Sequence, residues 1–302
     1  MSRQHNPKIL LLGCNGQIGR SLCDAMHDVI APDYRNSTQG VDLRDTHGLM
    51  ATIDKLRPKI IINAAAYTNV DLAEANEAEV FSTNFKGVQA LAQAAKKINA
   101  VLVHFSSDYV YDGRLNKSYK ETDETNPQSI YGRSKLEGDR AIVESGCTHL
   151  IFRTSWIYSE HGDNFVRTIL HAARCRDRLN VVNDQFGVPT SASFIARTTI
   201  RCLQALSVDA SLSGVYNLVP KGRTNWFDYA SLIINVARDF GDAVEPATQL
   251  LTPISAKEYR TEAKRPLNSC LDTKKLQITF GIELPEWEDD VKQTVVNLVQ
   301  SD

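Results

Sequence analysis

Tyr131 and Lys135, in the run Tyr131-Gly132-Arg133-Ser134-Lys135, are the pair in this chain whose types and spacing best suit proton transfer. The run continues in a helix-like pattern to about Glu144, and on a helix residues four apart share a face. An unperturbed phenol titrates near pH ~10. A neighbouring ammonium favours the phenolate, lowers that value, and makes the phenol a usable proton donor and acceptor near neutrality. The same spacing also describes a surface tyrosine and a solvated lysine, so the chemistry depends on what the rest of the chain brings to the pair.

A glycine loop is the first such partner. The apolar run Lys8-Ile9-Leu10-Leu11-Leu12 ends in Gly13-Cys14-Asn15-Gly16-Gln17-Ile18-Gly19, followed by a helix-like pattern through Met26. Glycines at this spacing let the backbone approach a pyrophosphate, and the helix N-terminus supplies amide donors and a positive dipole end. Its position at the first strand–helix joint points to dinucleotide binding through Gly13, Asn15, Gly16, Gln17, Ile18 and Gly19. Asp33 lies twenty positions after Gly13, where an acid would take the adenosine ribose hydroxyls and favour NADH. Arg35 stands where a guanidinium could take a 2′-phosphate and favour NADPH. Either residue could equally be loop decoration. Ser107 is the second partner: it follows the apolar run Val101 to Phe105, so its hydroxyl faces the same carboxyl-end crevice as the glycine loop.

The elements that must position these groups read as strand and helix in alternation. A second strand is expected at Val29 to Pro32, and Asp45 or Thr46 caps a helix running to Leu56. Lys59 to Ile62 shows no alternation, as suits a parallel strand covered on both faces. It runs into Asn63-Ala64-Ala65-Ala66, whose small side chains leave room for a ligand. Thr68 to Lys97 is helical with a break near Asn76, and strands follow at 101–105 and 150–152. Leu179 to Val182 reads as the last strand of the sheet. Asp163 or Asn164 caps a helix to Arg174. Beyond it come helices over 192–206, 226–239 and 286–299 and a short strand at 215–219. The expected fold is α/β: a doubly wound, Rossmann-like parallel sheet with a second, smaller α/β C-terminal lobe. The expected division is a dinucleotide-binding domain over 1–183, with the helix near 192–206 packing back on it, and a substrate-binding lobe over 184–302.

Composition narrows the function classes. The chain has 302 residues, 42% hydrophobic and 23% charged, an ordinary globular balance. A net charge of −2 without a block of like charges gives no footing for nucleic acid or an anionic membrane. The polar N-terminus lacks the apolar core of a secretory signal, and the densest apolar run is too short to span a bilayer, so cytoplasm is expected. Six cysteines without C-x-x-C spacing read as reduced, mostly buried residues.

The glycine loop, the serine after the strand at 101–105 and Tyr-x-x-x-Lys together resemble the extended short-chain dehydrogenase/reductases. Five segments narrow the resemblance to the dTDP-4-dehydrorhamnose reductase family. They are Asn63-Ala-Ala-Ala-Tyr-Thr-Asn-Val-Asp71, Ser107-Asp-Tyr-Val-Tyr-Asp-Gly113, Arg153-Thr-Ser-Trp156, Asn183-Asp-Gln-Phe-Gly-Val-Pro-Thr190 and Arg265-Pro-Leu-Asn-Ser269. The resemblance covers roughly Lys8 to Val299. It implies hydride delivery from NADPH or NADH to the C4 ketone of a dTDP-sugar. Tyr131 would give the proton, Lys135 would lower the Tyr131 pKa and hold the nicotinamide ribose, and Ser107, where relatives often carry Thr, would bind the carbonyl oxygen. Asp42 and Leu43 would flank the adenine, and Ala64, Ala65 and Tyr67 the nicotinamide. Asp108, Tyr109 and Trp156 would line the sugar-nucleotide pocket, though both aromatics could instead be core. Arg265 would contact the diphosphate, or form a plain ion pair, and Asn268 would assist.

Some family members bridge a dimer through magnesium held by acids; here Ser21 and Ser193 stand at two of those positions, with Glu288 alone remaining. The expectation is therefore no metal and a monomer or weak homodimer. Of three other readings on the same scaffold, the dehydratase is disfavoured and two remain open. A 4,6-dehydratase would carry Glu where Tyr109 stands. An epimerase would retain its cofactor. A non-catalytic protein like the regulatory subunit of methionine adenosyltransferase would keep the fold without turnover.

Overall fold

A computed structural model of the chain describes residues 9–26, 42–241, Val244 and 247–301. The expected strand at 29–32 and the cofactor-choosing pair Asp33 and Arg35 lie outside the described residues. In chain order the first half holds β1 (Ile9–Leu12), α1 (Gln17–Met26), α2 (Thr46–Leu56), β2 (Ile60–Asn63), α3 (Val70–Ala73), α4 (Glu77–Phe81), α5 (Val88–Ile98), β3 (Val101–Ser107), α6 (Ile130–Ser145) and β4 (His149–Thr154). The second half holds β5 (Ile157–Tyr158), α7 (Phe165–Cys175), β6 (Leu179–Val182), β7 (Phe186–Gly187), β8 (Thr190–Ser191), α8 (Ala192–Val208), β9 (Gly214–Asn217), β10 (Thr224–Asn225), α9 (Trp226–Asp239), α10 (Ala247–Leu250), β11 (Leu251–Ile254), α11 (Lys274–Phe280) and α12 (Trp287–Ser301).

Five strands form the central sheet in the order β1-β2-β3-β4-β9, every pair parallel. Helices cover both faces, which is why β1 is buried at all four positions and shows no alternation. On one face α1 packs on α8, with Ile18, Leu22, Phe194 and Ile195 in one core with β1, β3 and β4. On the other, α2 and α5 bury Leu49, Ile53 and Leu91 against Leu10, Ile61 and Leu102. A third core gathers Tyr158, Tyr229 and Trp287 with apolar residues of α7, α9 and α12.

One strand assignment changes. Leu179–Val182 is not the last strand of the central sheet: it pairs with Leu251–Ile254 in a separate two-stranded sheet. The edge position beside β4 belongs to Gly214–Asn217. Both segments are short and apolar, and such runs do not encode their partner. The cap signals are met locally. Asp45 accepts from Gly48 N to start α2, and Asn164 accepts from Arg167 N to start α7. The helix expected over 68–97 is broken at Glu74–Asn76 and again loosened into a π-helical segment at Ser82–Gly87. There the Asn84 side chain is drawn out to bind both Tyr67 N and O, and Ser134 Oγ.

Candidate functional site

The carboxyl ends of β1, β2, β3 and β4 open onto one cavity of about 730 Å³. Gly13, Asn15, Gly16, Gln17 and Ile18 form one wall. Gly13 has φ +79°, and a Cβ there would stand 2.6 Å from Ala64 C. A Cβ on Gly19 would stand 2.1 Å from Gly13 O, so Gly19 lets α1 close against the loop rather than facing the cavity. Gly16 N donates to Gly13 O at 3.0 Å, and α1 begins at the next residue, so its first turn, with Gln17 and Ile18, borders the cavity. Ala64 and Ala65 also line the cavity, packed directly against Gly13.

Ser107, Asp108, Tyr109 and Tyr131 line the same cavity. Ser107 closes β3, accepts from Tyr109 N at 3.1 Å and donates to Asp108 Oδ1 at 3.0 Å. Ser129 caps α6 by accepting from Gly132 N, which sets Tyr131 in the first turn. The Tyr109 and Tyr131 rings meet edge to face, 5.6 Å between centroids. Burial pushes the Tyr131 phenol up to about 12; a hydrogen bond with Ser107 opposes that, and the charges of Asp108 and Asp139 add to it.

The net shift of the phenol is upward, with no contribution from Lys135 among its causes. Lys135 is 1% exposed and does not line the cavity. Its Nζ donates to Phe105 O at 2.6 Å and lies 3.1 Å from His104 Nε2. At neutral pH the phenol is therefore a protonated acid, the form needed to donate.

Trp156 supplies a further wall. It holds φ 47°, unusual for a non-glycine residue, and its ring stacks on Trp226 of α9 at 3.6 Å. Gly187 accommodates it: a Cβ there would be 2.5 Å from Trp156 Cε2.

The other expected residues lie elsewhere. Asp42 is at the surface, bound twice by Arg44 Nε, at 3.0 and 2.9 Å. Leu43 is buried under Gly87. Tyr67 packs against the cluster of Ala73, Val80 and Ile130, beside Tyr131. Arg265 faces a second cavity of about 310 Å³ with Trp226 and Phe165. Its Nη2 holds Asp71 Oδ2 at 2.7 Å, and its buried Nε has no partner. Asn268 is not brought to the main cavity: its Nδ2 donates to Leu115 O and Lys117 O and its Oδ1 accepts from Cys270 N, so its amide is spent shaping a loop.

Sequence reasoning missed the loop Ser159–Asn164, whose His161, Gly162 and Asp163 also line the cavity. Gln17 Oε1 accepts from Ser159 Oγ and Asn164 Nδ2, each at 3.0 Å, tying this loop over the glycine turn. The signal was available: a polar turn-rich stretch follows a strand whose carboxyl end faces the crevice.

Asp108 is 3% exposed and its Oδ2 has no partner. Burial pushes its carboxyl up to about 6, against hydrogen bonds from Ser269 and Ser107. The folded state therefore holds this proton more tightly than the unfolded chain. Its contribution is most favourable below the unfolded value near ~4 and is lost as pH rises through the folded value of about 6, roughly 3 kcal/mol in all. Asp108→Asn is expected to stabilise the protein by up to ~3 kcal/mol at about pH 8, the gain vanishing toward about pH 4. Urea unfolding across that range checks it; a less stable variant at the alkaline end would contradict the burial cost.

Comparison with known proteins adds names to this geometry. A family model described as RmlD substrate binding domain matches residues 7–300. The dTDP-4-dehydrorhamnose reductase of Escherichia coli K12 is 39% identical over 293 residues, 96% of this chain and 97% of that protein. The protein of the same name from Sinorhizobium fredii is 41% identical, over 95% of this chain and 96% of its own. A crystal structure of Bacillus anthracis dTDP-4-dehydrorhamnose reductase in complex with NADP superposes with a TM-score of 0.85 at 28% identity, covering 97% of this chain and 99% of that one.

Proposed function

The chain belongs to the RmlD substrate binding domain family, and from that premise we propose that it reduces the C4 ketone of dTDP-4-dehydro-β-L-rhamnose to dTDP-β-L-rhamnose. The cofactor is NADPH or NADH, in keeping with the NADP complex of the Bacillus anthracis relative. The observation that carries this reading is one cavity with a glycine turn and helix N-terminus on one wall and Ser107 and Tyr131 on another. The residues fit the cofactor. Gly13 and Gly19 leave no room for side chains, Gly16 closes the turn between them, and a cavity of about 730 Å³ is available.

When bound, the nicotinamide supplies the hydride. The chain's own groups do the rest. Tyr131, protonated, donates to the oxygen on which charge develops. Ser107 donates to the same oxygen; positioned donors of this kind are worth about 3 kcal/mol. Lys135, buried outside the cavity lining, would reach the nicotinamide ribose hydroxyls only by turning its amine away from Phe105 O and His104. Asp108, Tyr109 and Trp156 shape the sugar pocket, and Arg265 is assigned to the diphosphate, which would replace Asp71 as its partner.

The same reading puts the protein in the cytoplasm, as a monomer or weak homodimer with no nucleic-acid or membrane partner. Among the described residues no helix is long and apolar enough to cross a membrane. Ser21 and Ser193 line one cavity that also carries Asp24 and Glu160, so the reading without a metal-bridged dimer rests on the two serines standing where relatives carry acids.

The test is consumption of each reduced cofactor by the purified protein with and without dTDP-4-dehydro-β-L-rhamnose. Oxidation dependent on the sugar nucleotide is expected. No turnover, with a stable complex with another protein, would favour a regulatory subunit instead. Tightly retained NAD(H) without net consumption would favour an epimerase.

A further inference from the structure

The starts of α1 and α7 meet through one hydrogen bond between side-chain amides. Gln17, the first residue of α1, borders the main cavity. Its Oε1 lies 3.0 Å from both Ser159 Oγ and Asn164 Nδ2. Asn164 is the N-cap of α7. The loop between them runs close along the glutamine stem: Gly162 has φ +71°, and a Cβ there would stand 3.5 Å from Gln17 Cγ.

Which end of the Gln17 amide is spent on the loop follows from the donors and acceptors around Asn164. Asn164 Oδ1 accepts from Arg167 N at 3.2 Å, and its Nδ2 lies 2.8 Å from Ser159 O and 3.3 Å from His161 O. Turning that amide over would set N–H against N–H at the cap and oxygen against two carbonyls. The NH2 of Asn164 therefore points at Gln17, which must answer with its oxygen. The Ser159 hydroxyl does not decide the matter, because His161 O, at 2.7 Å, is a second acceptor for its proton. With Oε1 held by the loop, Gln17 Nε2 has no partner among the described residues, and it is not buried. Its two N–H donors stand beside the glycine turn.

We propose that Asn164 is a positioning residue for the cofactor: it turns the Gln17 amide so that the NH2 group is left for the cofactor's pyrophosphate. This rests on the active-site reading above. A side-chain amide has two ends of opposite polarity, and only one suits an anion. The NH2 end makes a charge-assisted hydrogen bond, whereas the oxygen repels. A glutamine without the clasp samples both orientations. Asn164 removes the wrong one before the cofactor arrives, so the ordering cost falls on folding rather than on binding.

Direct titration of both reduced cofactors, and of the matching ADP-ribose fragments that keep the pyrophosphate and lack the nicotinamide, tests this without turnover. Gln17→Met is expected to weaken cofactor and fragment alike by about tenfold, the scale of one hydrogen bond to a charged group. Asn164→Ser keeps a capping hydroxyl for α7 and removes the NH2. It is expected to weaken both by about fivefold in the wild-type background and to have no effect beside Gln17→Met, where no amide is left to orient. Equal losses in the two backgrounds would show that Asn164 does not act through Gln17 and would overturn the proposal, as would a loss confined to the intact cofactor. Side-chain amide exchange in the wild-type protein gives a second readout. The Asn164 NH2 is expected to be protected throughout, and the Gln17 NH2 only once ADP-ribose is bound; the reverse order refutes the assigned orientation. If Asn164→Ser does not fold, that order decides alone. A wild-type protein that binds neither cofactor nor fragment brings down the active-site reading together with this one, whereas binding with equal losses in the cycle brings down only the role of Asn164.

Discussion

Replacing Tyr131 by phenylalanine is expected to lower turnover by about 100-fold or more, the usual scale of general acid catalysis. Cofactor affinity is expected to stay near wild type. The change removes one oxygen and keeps the ring, so the edge-to-face contact with Tyr109 survives and the cavity keeps its shape. The phenol's state makes the prediction sharp. Burial holds it protonated up to about 12, so the wild-type enzyme has its acid loaded throughout the neutral range, and alkalinity below that value does not unload it in the unliganded protein. Steady-state kinetics with saturating reduced cofactor, together with a direct titration of the cofactor, separates the two effects. Wild-type rates would remove Tyr131 from its role, whereas a loss of cofactor binding equal to the loss in rate would recast it as a binding residue.

Arg153→Met is expected to destabilise the fold by roughly 3–5 kcal/mol, the range for an uncompensated buried charge. Arg153 and Asp139 are 6% and 2% exposed, and Arg153 Nε meets Asp139 Oδ2 at 3.3 Å. Asp139 also accepts from Ser106 Oγ at 2.9 Å, but its Oδ1 has no partner. Without the guanidinium this carboxylate has little left to hold its charge, and Tyr111 OH loses its Nη1 partner at 2.8 Å. Burial already raises the Asp139 pKa. Proton uptake on folding is therefore favoured at low pH and lost as pH rises, so the deficit of the variant should shrink toward about pH 4. Pairing the change with Asp139→Leu should recover much of the loss, because replacing both partners leaves no charge stranded. Urea unfolding of the four proteins in the cycle measures this; a single-variant loss below ~1 kcal/mol would show the carboxylate is relieved in some other way. The pair ties β4 to α6, the helix that carries Tyr131 and Lys135, so its stability and the site's geometry are linked.

The amino-acid sequence by itself determined the features that are local in the chain. The glycine turn follows from Gly13 and Gly16 between an apolar run and a helix, with Gly19 in that helix's first turn. The caps at Asp45 and Asn164 follow from side chains that bind amides three residues away. Ser107 at a strand end, and Tyr131 one helical turn before Lys135, follow from period alone. What crosses the chain was decided only by tertiary structure. Leu179–Val182 and Gly214–Asn217 carry equivalent apolar signals, and only packing chose which joins the sheet. The Tyr131 shift runs upward because burial dominates it, while the Lys135 amine is turned to Phe105 O and His104. Arg265 found Asp71 and Gln17 found Ser159 across well over a hundred residues. Hydrogen-bond and dipole preferences act over a few ångströms along the chain, so sequence encodes them. Desolvation and pairing depend on which surfaces exclude water, and that is settled only once the whole chain has folded.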